Sequence, residues 1–173
     1  MTKGQAERLM PLLSEVLAEA GVTYGDLAAI GVGTGPGNFT GTRIAVAAAR
    51  GLALGLSVPA EGVSVVEAYA EGRDVIVCLP APRGAILLAR GPETLVHEPG
   101  TPLPPDWFGP LTGPAAEAVS ADAGQIVLPA PDLAVSIARI AGRRAAPGRP
   151  RPAPVYLRPA DAAPARDLPP TIL

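Results

Sequence analysis

Apolar side chains at Leu9, Leu12, Leu13, Val16, Leu17 and Ala20 recur at the i, i+3, i+4, i+7 spacing of one helical face, which predicts an amphipathic helix over residues 5–20. Gly21 stops it. After a turn around Tyr24 to Asp26 the period changes, and "LAAIGVG" from Leu27 is a short, nearly continuous apolar run that predicts a strand covered on both faces. From about Thr40 to Leu56 the pattern is helical again, but Gly41, Ala45, Ala48, Ala49 and Gly55 leave one side with little side chain, so another backbone can approach closely. A strand around Val58 to Val63 follows. Ser64-x-x-Glu67 ahead of "AYA" is a capping box that opens a third helix.

Beyond Gly72 the texture differs. "DVIVCL" and "AILLAR" are apolar runs joined by "PAPRG", which predicts a hairpin, whereas Pro92 to Pro114 is proline-rich and predicts little regular structure. "QIVLP" reads as a further strand, and residues 132–143 as a helix with Leu133, Ile137 and Ile140 inward. These elements give an α/β chain of two small subdomains, 1–72 and 73–144, and a proline-rich tail, 145–173, expected to be extended or partly disordered.

Composition narrows the chemistry. The longest apolar run, Ile44 to Ala60, is broken by Arg50, two glycines and Pro59, where a spanning helix needs roughly 20 predominantly apolar residues. "MTKGQAERLM" has no apolar signal-peptide core, so the expected location is the cytoplasm, with no membrane partner. Cys78 is the only cysteine and His97 the only histidine, which excludes an intramolecular disulfide, a multi-cysteine or multi-histidine metal site and the H-E-x-x-H motif. Cys78, mid-strand, reads as a buried structural thiol, and Asp74 and Glu67 form no evident acid–base pair. No metal, cofactor or catalytic group is expected.

Charge is unevenly spread. Residues 1–138 hold seven basic and fourteen acidic side chains, while residues 139–173 hold seven arginines against Asp161 and Asp167. Arg139, Arg143, Arg144, Arg149 and Arg151 have the generic affinity of clustered arginines for RNA phosphates. The acidic remainder repels a polyanion, however, which favours a solvated helix end and linker.

The run "GTGPGNFTGTRIAVAAARGLALGL" at residues 33–56 has the look of a phosphate loop. The P-loop needs G-x-x-x-x-G-K-[ST], and Gly35 to Arg43 offers no lysine and places Phe39 mid-loop; G-x-G-x-x-G meets Pro36 or Asn38 at its sixth position. What remains is a strand, a glycine turn and a helix N-terminus, with Asn38 or Thr40 as the cap.

Gly35, Pro36, Gly37, Phe39, Thr40, Gly41, Arg43 and Ile44, with Asn38 in place of a usual serine, strongly resemble the G-P-G-S-F-T-G-x-R-I-G run of the TsaB family. "ERLMPLLSEVLAEAG" is similar to the family's helix before the strand, and "PVYLRPA" from Pro154 to its C-terminal P-x-Y-L-R. The likeness thins between about Leu79 and Ile140.

The resemblance implies an actin-like, Hsp70-like (ribonuclease H-like) fold. It also implies a non-catalytic scaffold or dimerisation subunit that binds TsaD in the complex forming threonylcarbamoyladenosine beside the anticodon of tRNA. A TsaE-like ATPase is then reached through that complex, tRNA only indirectly, and the chain can form a homodimer when TsaD is absent. The glycoprotease label often given to the family is misleading on this reading. The expected partner interface is Leu9, Leu12, Val16, Arg43, Ala45 and Ala49, each apolar one being interface or core, with Leu13 and Leu17 in the core; Gly35, Pro36, Gly37, Asn38, Phe39, Thr40 and Gly41 form a structural loop.

Two departures carry expectations. The family begins with a β-hairpin whose first strand ends in an Asp-Thr-Ser run, and this sequence starts at the helix after it. The strand from Leu27 is therefore expected to have an open edge, nucleotide chemistry to be lost, and stability to be low or compensated by self-association. "CLPAPRGAILLAR" also lacks the acidic residues of the family's A-x-D-A-R-x-x-E-V-Y hairpin. Alternative readings are a nucleotide-binding or enzymatic protein using the loop after Gly35, and a self-associating remnant without a live partner.

Overall fold

The protein is represented by a computed structural model that describes residues 4–155. The Tyr-Leu-Arg motif at 156–158 and the rest of the tail lie outside the described residues.

Helix α1 spans Gln5–Glu19. It closes in a Schellman motif: the N–H of Gly21, at φ +68°, donates to Ala18 and that of Val22 to Leu17. Strand β1 (Ile30–Gly33) follows, then α2 (Phe39–Leu56), and β2 (Ala60–Val63) pairs with β1 in parallel, Ile30 opposite Ala60 through Gly33 opposite Val63. Helix α3 (Val65–Ala70) is capped by Ser64, whose Oγ accepts from the Glu67 N–H at 3.0 Å. The Glu67 carboxylate does not complete the predicted capping box, because it turns instead to Arg144.

A four-stranded sheet holds the rest, in the order β5-β4-β3-β6. Its strands are β3 (Ile76–Pro80), β4 (Ile86–Arg90), β5 (Glu93–His97) and β6 (Leu111–Thr112), and β3 runs parallel to β6 and antiparallel to β4. One face packs on α4 (Ala116–Ala123) through Ile76, Cys78, Leu88, Leu111 and Val119; the other packs on α3 through Val75, Val77, Leu79 and Leu87 against Val65, Val66 and Tyr69. Strands β3 and β4 are apolar on both sides for that reason.

Helix α5 (Leu133–Arg144) is capped by Asp132, whose Oδ1 accepts from the Val135 N–H at 3.0 Å. It returns to the first sheet and covers the face of β1 opposite α2. A Cβ on Gly31 would stand 2.7 Å from the Ala141 Cβ and one on Gly33 3.2 Å from Ile137, so the two glycines are what lets the helix lie this close. On the other face Val32 packs with Val46 and Ala49 of α2. A helix therefore lies on each face of β1, as the apolar run predicts. Among the described residues β2 is the strand's sole neighbour, so its other edge is open.

Two expectations about local structure are corrected. The stretch from Pro92 to Pro114 contains β5 and β6: its prolines fall outside the ladder residues, and the alternation of Leu95 and His97 was too short to read as a period. "QIVLP" makes one isolated bridge, Leu111 with Val127, in place of a strand, although Leu128 N–H also donates to the Leu111 carbonyl. The boundary at Gly72 separates the two sheets but not the packing, since α5 seals the first sheet through Ile140 and Ala141 against Val63 and Ala68. Residues 145–155 form no helix or strand and are anchored at their end: Pro152 is buried beside Gly62, and the Val155 N–H donates to the Thr34 carbonyl at 2.8 Å.

Candidate functional site

The loop between β1 and α2 is held from several sides. Thr34 N–H donates to the Val63 carbonyl, and the Gly35 carbonyl accepts from the Val65 N–H at 2.8 Å, which ties the loop to the start of α3. Gly35 lies at φ +95° with the Val155 carbonyl 3.2 Å from where a Cβ would be, so this position accepts glycine alone. Of the two predicted caps Asn38 serves: its Oδ1 accepts from the Gly41 N–H at 2.7 Å and takes one of the free donors of the α2 N-terminus. Pro36 is half-buried, while Gly37, Asn38, Phe39 and Thr40 are exposed. The Arg43 guanidinium stacks over the Phe39 ring, 3.9 Å from its centroid, a cation–π contact one helical turn long.

The expected interface set divides. Leu12 and Val16, one turn apart, are exposed, Val16 by 54%, and Met10 is exposed as well, while Leu9, Leu13 and Leu17 are half-buried. Along α1 the described side chains include none that is buried. On α2, Arg43 is exposed and Ala45 half-buried, but Ala49 is 6% exposed and belongs to the cluster with Val32 and Val46. Ala49 thus packs in the core, one of the two places open to it, because that part of the small-residue face is filled by β1. Leu13 and Leu17 reach half burial and no further.

The C-terminal arginines separate as well. Arg144 bonds Glu67 through Nη1 at 2.5 Å and Nη2 at 3.2 Å, and its Nε lies 3.3 Å from Glu61 Oε1, an ion contact too poorly aligned to be a hydrogen bond. Arg149 grips both oxygens of the same Glu61, at 2.7 and 2.9 Å. Arg139 stands 4.0 Å from Glu71, whose carboxylate also accepts from the buried Ser136 hydroxyl at 2.6 Å. Sequence reading missed this clamp. Its trace was the mismatch between an arginine-rich end and an acidic remainder, and Glu61 was a lone carboxylate inside a predicted strand.

Cys78 is fully buried at the centre of β3, and burial pushes its thiol up to about 12. The His97 side chain is buried at the end of β5, with no hydrogen-bond partner for Nε2 among the described residues. Asp74 sits under the fork of Arg90, at 2.9 and 2.8 Å, which holds its carboxyl below the ordinary range. Among the described residues no helix is long and apolar enough to cross a membrane.

A family model described as TsaD, tRNA N6-adenosine threonylcarbamoyltransferase, matches residues 2–97. The chain is 41% identical over 66 residues to the tRNA threonylcarbamoyladenosine biosynthesis protein TsaB of Escherichia coli (strain K12), covering 38% of this chain and 29% of that relative. A Haemophilus influenzae protein of the same name is 37% identical over 65 residues, 28% of its length, so the matches span less than a third of these relatives. The solved structure of YeaZ from Pseudomonas aeruginosa superposes with a TM-score of 0.63 at 27% identity, covering 90% of this chain and 85% of that one. The α/β architecture is accordingly the actin-like, ribonuclease H-like fold of these neighbours. The chain belongs to the family that the TsaD model describes.

Proposed function

We propose that the chain is a scaffold subunit that docks a TsaD-like partner in the assembly making threonylcarbamoyladenosine on tRNA, and that it contributes no catalytic group of its own. One observation carries the reading: α1 is a 15-residue helix that leaves Leu12 and Val16, one turn apart on one face, exposed. A helix this lightly packed leaves apolar area that a partner helix would cover, at roughly 25 cal/mol per Å². On this reading the exposed Arg43 and the half-buried Ala45 of α2, with the half-buried Leu9, are further members of the interface. The names of the relatives support the pathway. On this reading the docking helices belong to the 1–72 portion, a TsaE-like ATPase and tRNA are met through the partner, and the protein works in the cytoplasm.

The test is co-purification with TsaD from the same organism, wild type against Val16→Asp. Because Val16 is exposed, the substitution should change unfolding stability by about 0.5 kcal/mol or less while removing the complex. Equal binding by both proteins would refute the face; a homodimer indifferent to TsaD would refute the role.

A further inference from the structure

At the far end of α2 from the signature loop, a cavity of about 550 Å³ opens between the last turns of that helix, the approach to β2 and residues 146–152. Its size falls within the ~300–1,000 Å³ of small-molecule sites. Ala53, Val58, Pro59 and Pro152 give it an apolar floor, and Arg50, Arg149 and Arg151 line it without a carboxylate among the lining residues. Arg149 is held in place from behind by Glu61, so one wall of the cavity is fixed before any ligand arrives. Arg50 and Arg151 form no ion pair with a described residue.

The local charge selects the ligand. Arg50, Arg144, Arg149 and Arg151 face two carboxylates, Glu61 and Glu67, which leaves two positive charges without a protein counterpart. The C-terminal carbonyls of α2 bring a partial charge of about −0.5, too little to cancel them. We propose that this cavity binds an organic phosphate, its dianionic head between Arg50 and Arg151 and its apolar or planar body on the proline-lined floor. The planar fork of arginine suits phosphate oxygens in pairs, and a carboxylate would leave half the charge unmatched. A free mononucleotide and the terminal phosphate of an RNA strand share this chemistry. The inference is independent of the docking role, since it concerns the chain alone.

Calorimetric titration of the full chain at low salt tests it, with AMP, inorganic phosphate and a 5′-phosphorylated single-stranded oligoribonucleotide as probes. AMP should bind one to one, more tightly than inorganic phosphate, and about tenfold more weakly in Arg50→Ala and Arg151→Ala. Arg143→Ala, which removes a charge from α5 outside the cavity, should leave the affinity unchanged. Tighter binding of the oligonucleotide that vanishes with its 5′-phosphate would mark a strand end as the source, and tighter binding of AMP a free nucleotide. The proposal is overturned if no probe saturates at millimolar concentration, if AMP binds no better than inorganic phosphate, or if Arg143→Ala weakens binding as much as Arg50→Ala does.

Discussion

Glu61 and Arg149 lie 88 residues apart in the chain and meet side by side, with Nε and Nη2 of the arginine donating to both oxygens of the carboxylate. The Glu61 side chain is 6% exposed and that of Arg149 44%, so the acid is buried and the base is the part that solvent reaches. Removing the arginine therefore strands a buried carboxylate with the poorly aligned Arg144. Arg149→Ala should lower stability clearly, whereas Arg8→Ala, whose pair with Glu15 is open to water, should barely change it. Urea unfolding of the two variants should separate these effects, and limited proteolysis should find residues 146–152 newly accessible only in Arg149→Ala.

Two glycines at positive φ should respond differently to alanine. At Gly113, φ +101°, a Cβ would meet the Cys78 carbonyl oxygen at 2.7 Å, and neither the turn nor β3 can move without breaking the β3–β6 ladder. Gly91, φ +57°, has open space around it and sits in the left-handed region. Gly91→Ala should cost about 1–2 kcal/mol, while Gly113→Ala should exceed that and lower the thermal midpoint of unfolding visibly further.

The buried Cys78 should behave as an inert thiol. With its ionisation pushed up to about 12, almost no thiolate exists at pH 8, and the strand gives no access. A thiol-selective reagent such as DTNB should react in urea and fail to react in native buffer over minutes. Prompt stoichiometric labelling of the folded chain would contradict the placement of β3.

The turn before β1 carries a titratable lock. The Thr23 hydroxyl and N–H donate to Asp26 Oδ2 at 2.7 and 2.8 Å, and these bonds hold the carboxyl below its ordinary value. A lower value in the folded state means that the native protein binds fewer protons, so the contribution is present above the unfolded value and fades as pH falls through the folded one. Asp26→Asn should lower the urea midpoint at pH 7, and its difference from wild type should narrow below about pH 4.

The elements with a sustained period were legible in the sequence. Helices α1, α2 and α5 and the β3–β4 hairpin follow from spacing, and the caps Ser64 and Asn38 from residue type. The signature loop was readable as a turn before a helix because Gly35 takes a positive φ and Asn38 is a residue type that caps helices. What escaped was non-local. The burial of Ala49 depends on β1 lying beneath it, the Glu61 clamp joins segments far apart in the chain, and α4 is eight residues of mostly small side chains with little periodic signal. The proposed docking face was the easiest part to nominate, since an amphipathic stripe is visible in one dimension. Which of its members are already occupied is decided only in three.

The return of α5 to β1 also sets an order of events during synthesis. The glycine face of β1 has no cover until Leu133–Arg144 has been made, and the strap at 149–155 closes over Thr34 and Gly62 later still. A nascent chain made only as far as α4 carries its second sheet with its own helix but leaves the first sheet half bare, so the earlier-made half is the later one to be completed. Premature termination between α4 and residue 133 should thus yield a product recognised by chaperones through its N-terminal portion, although every residue of that portion is intact.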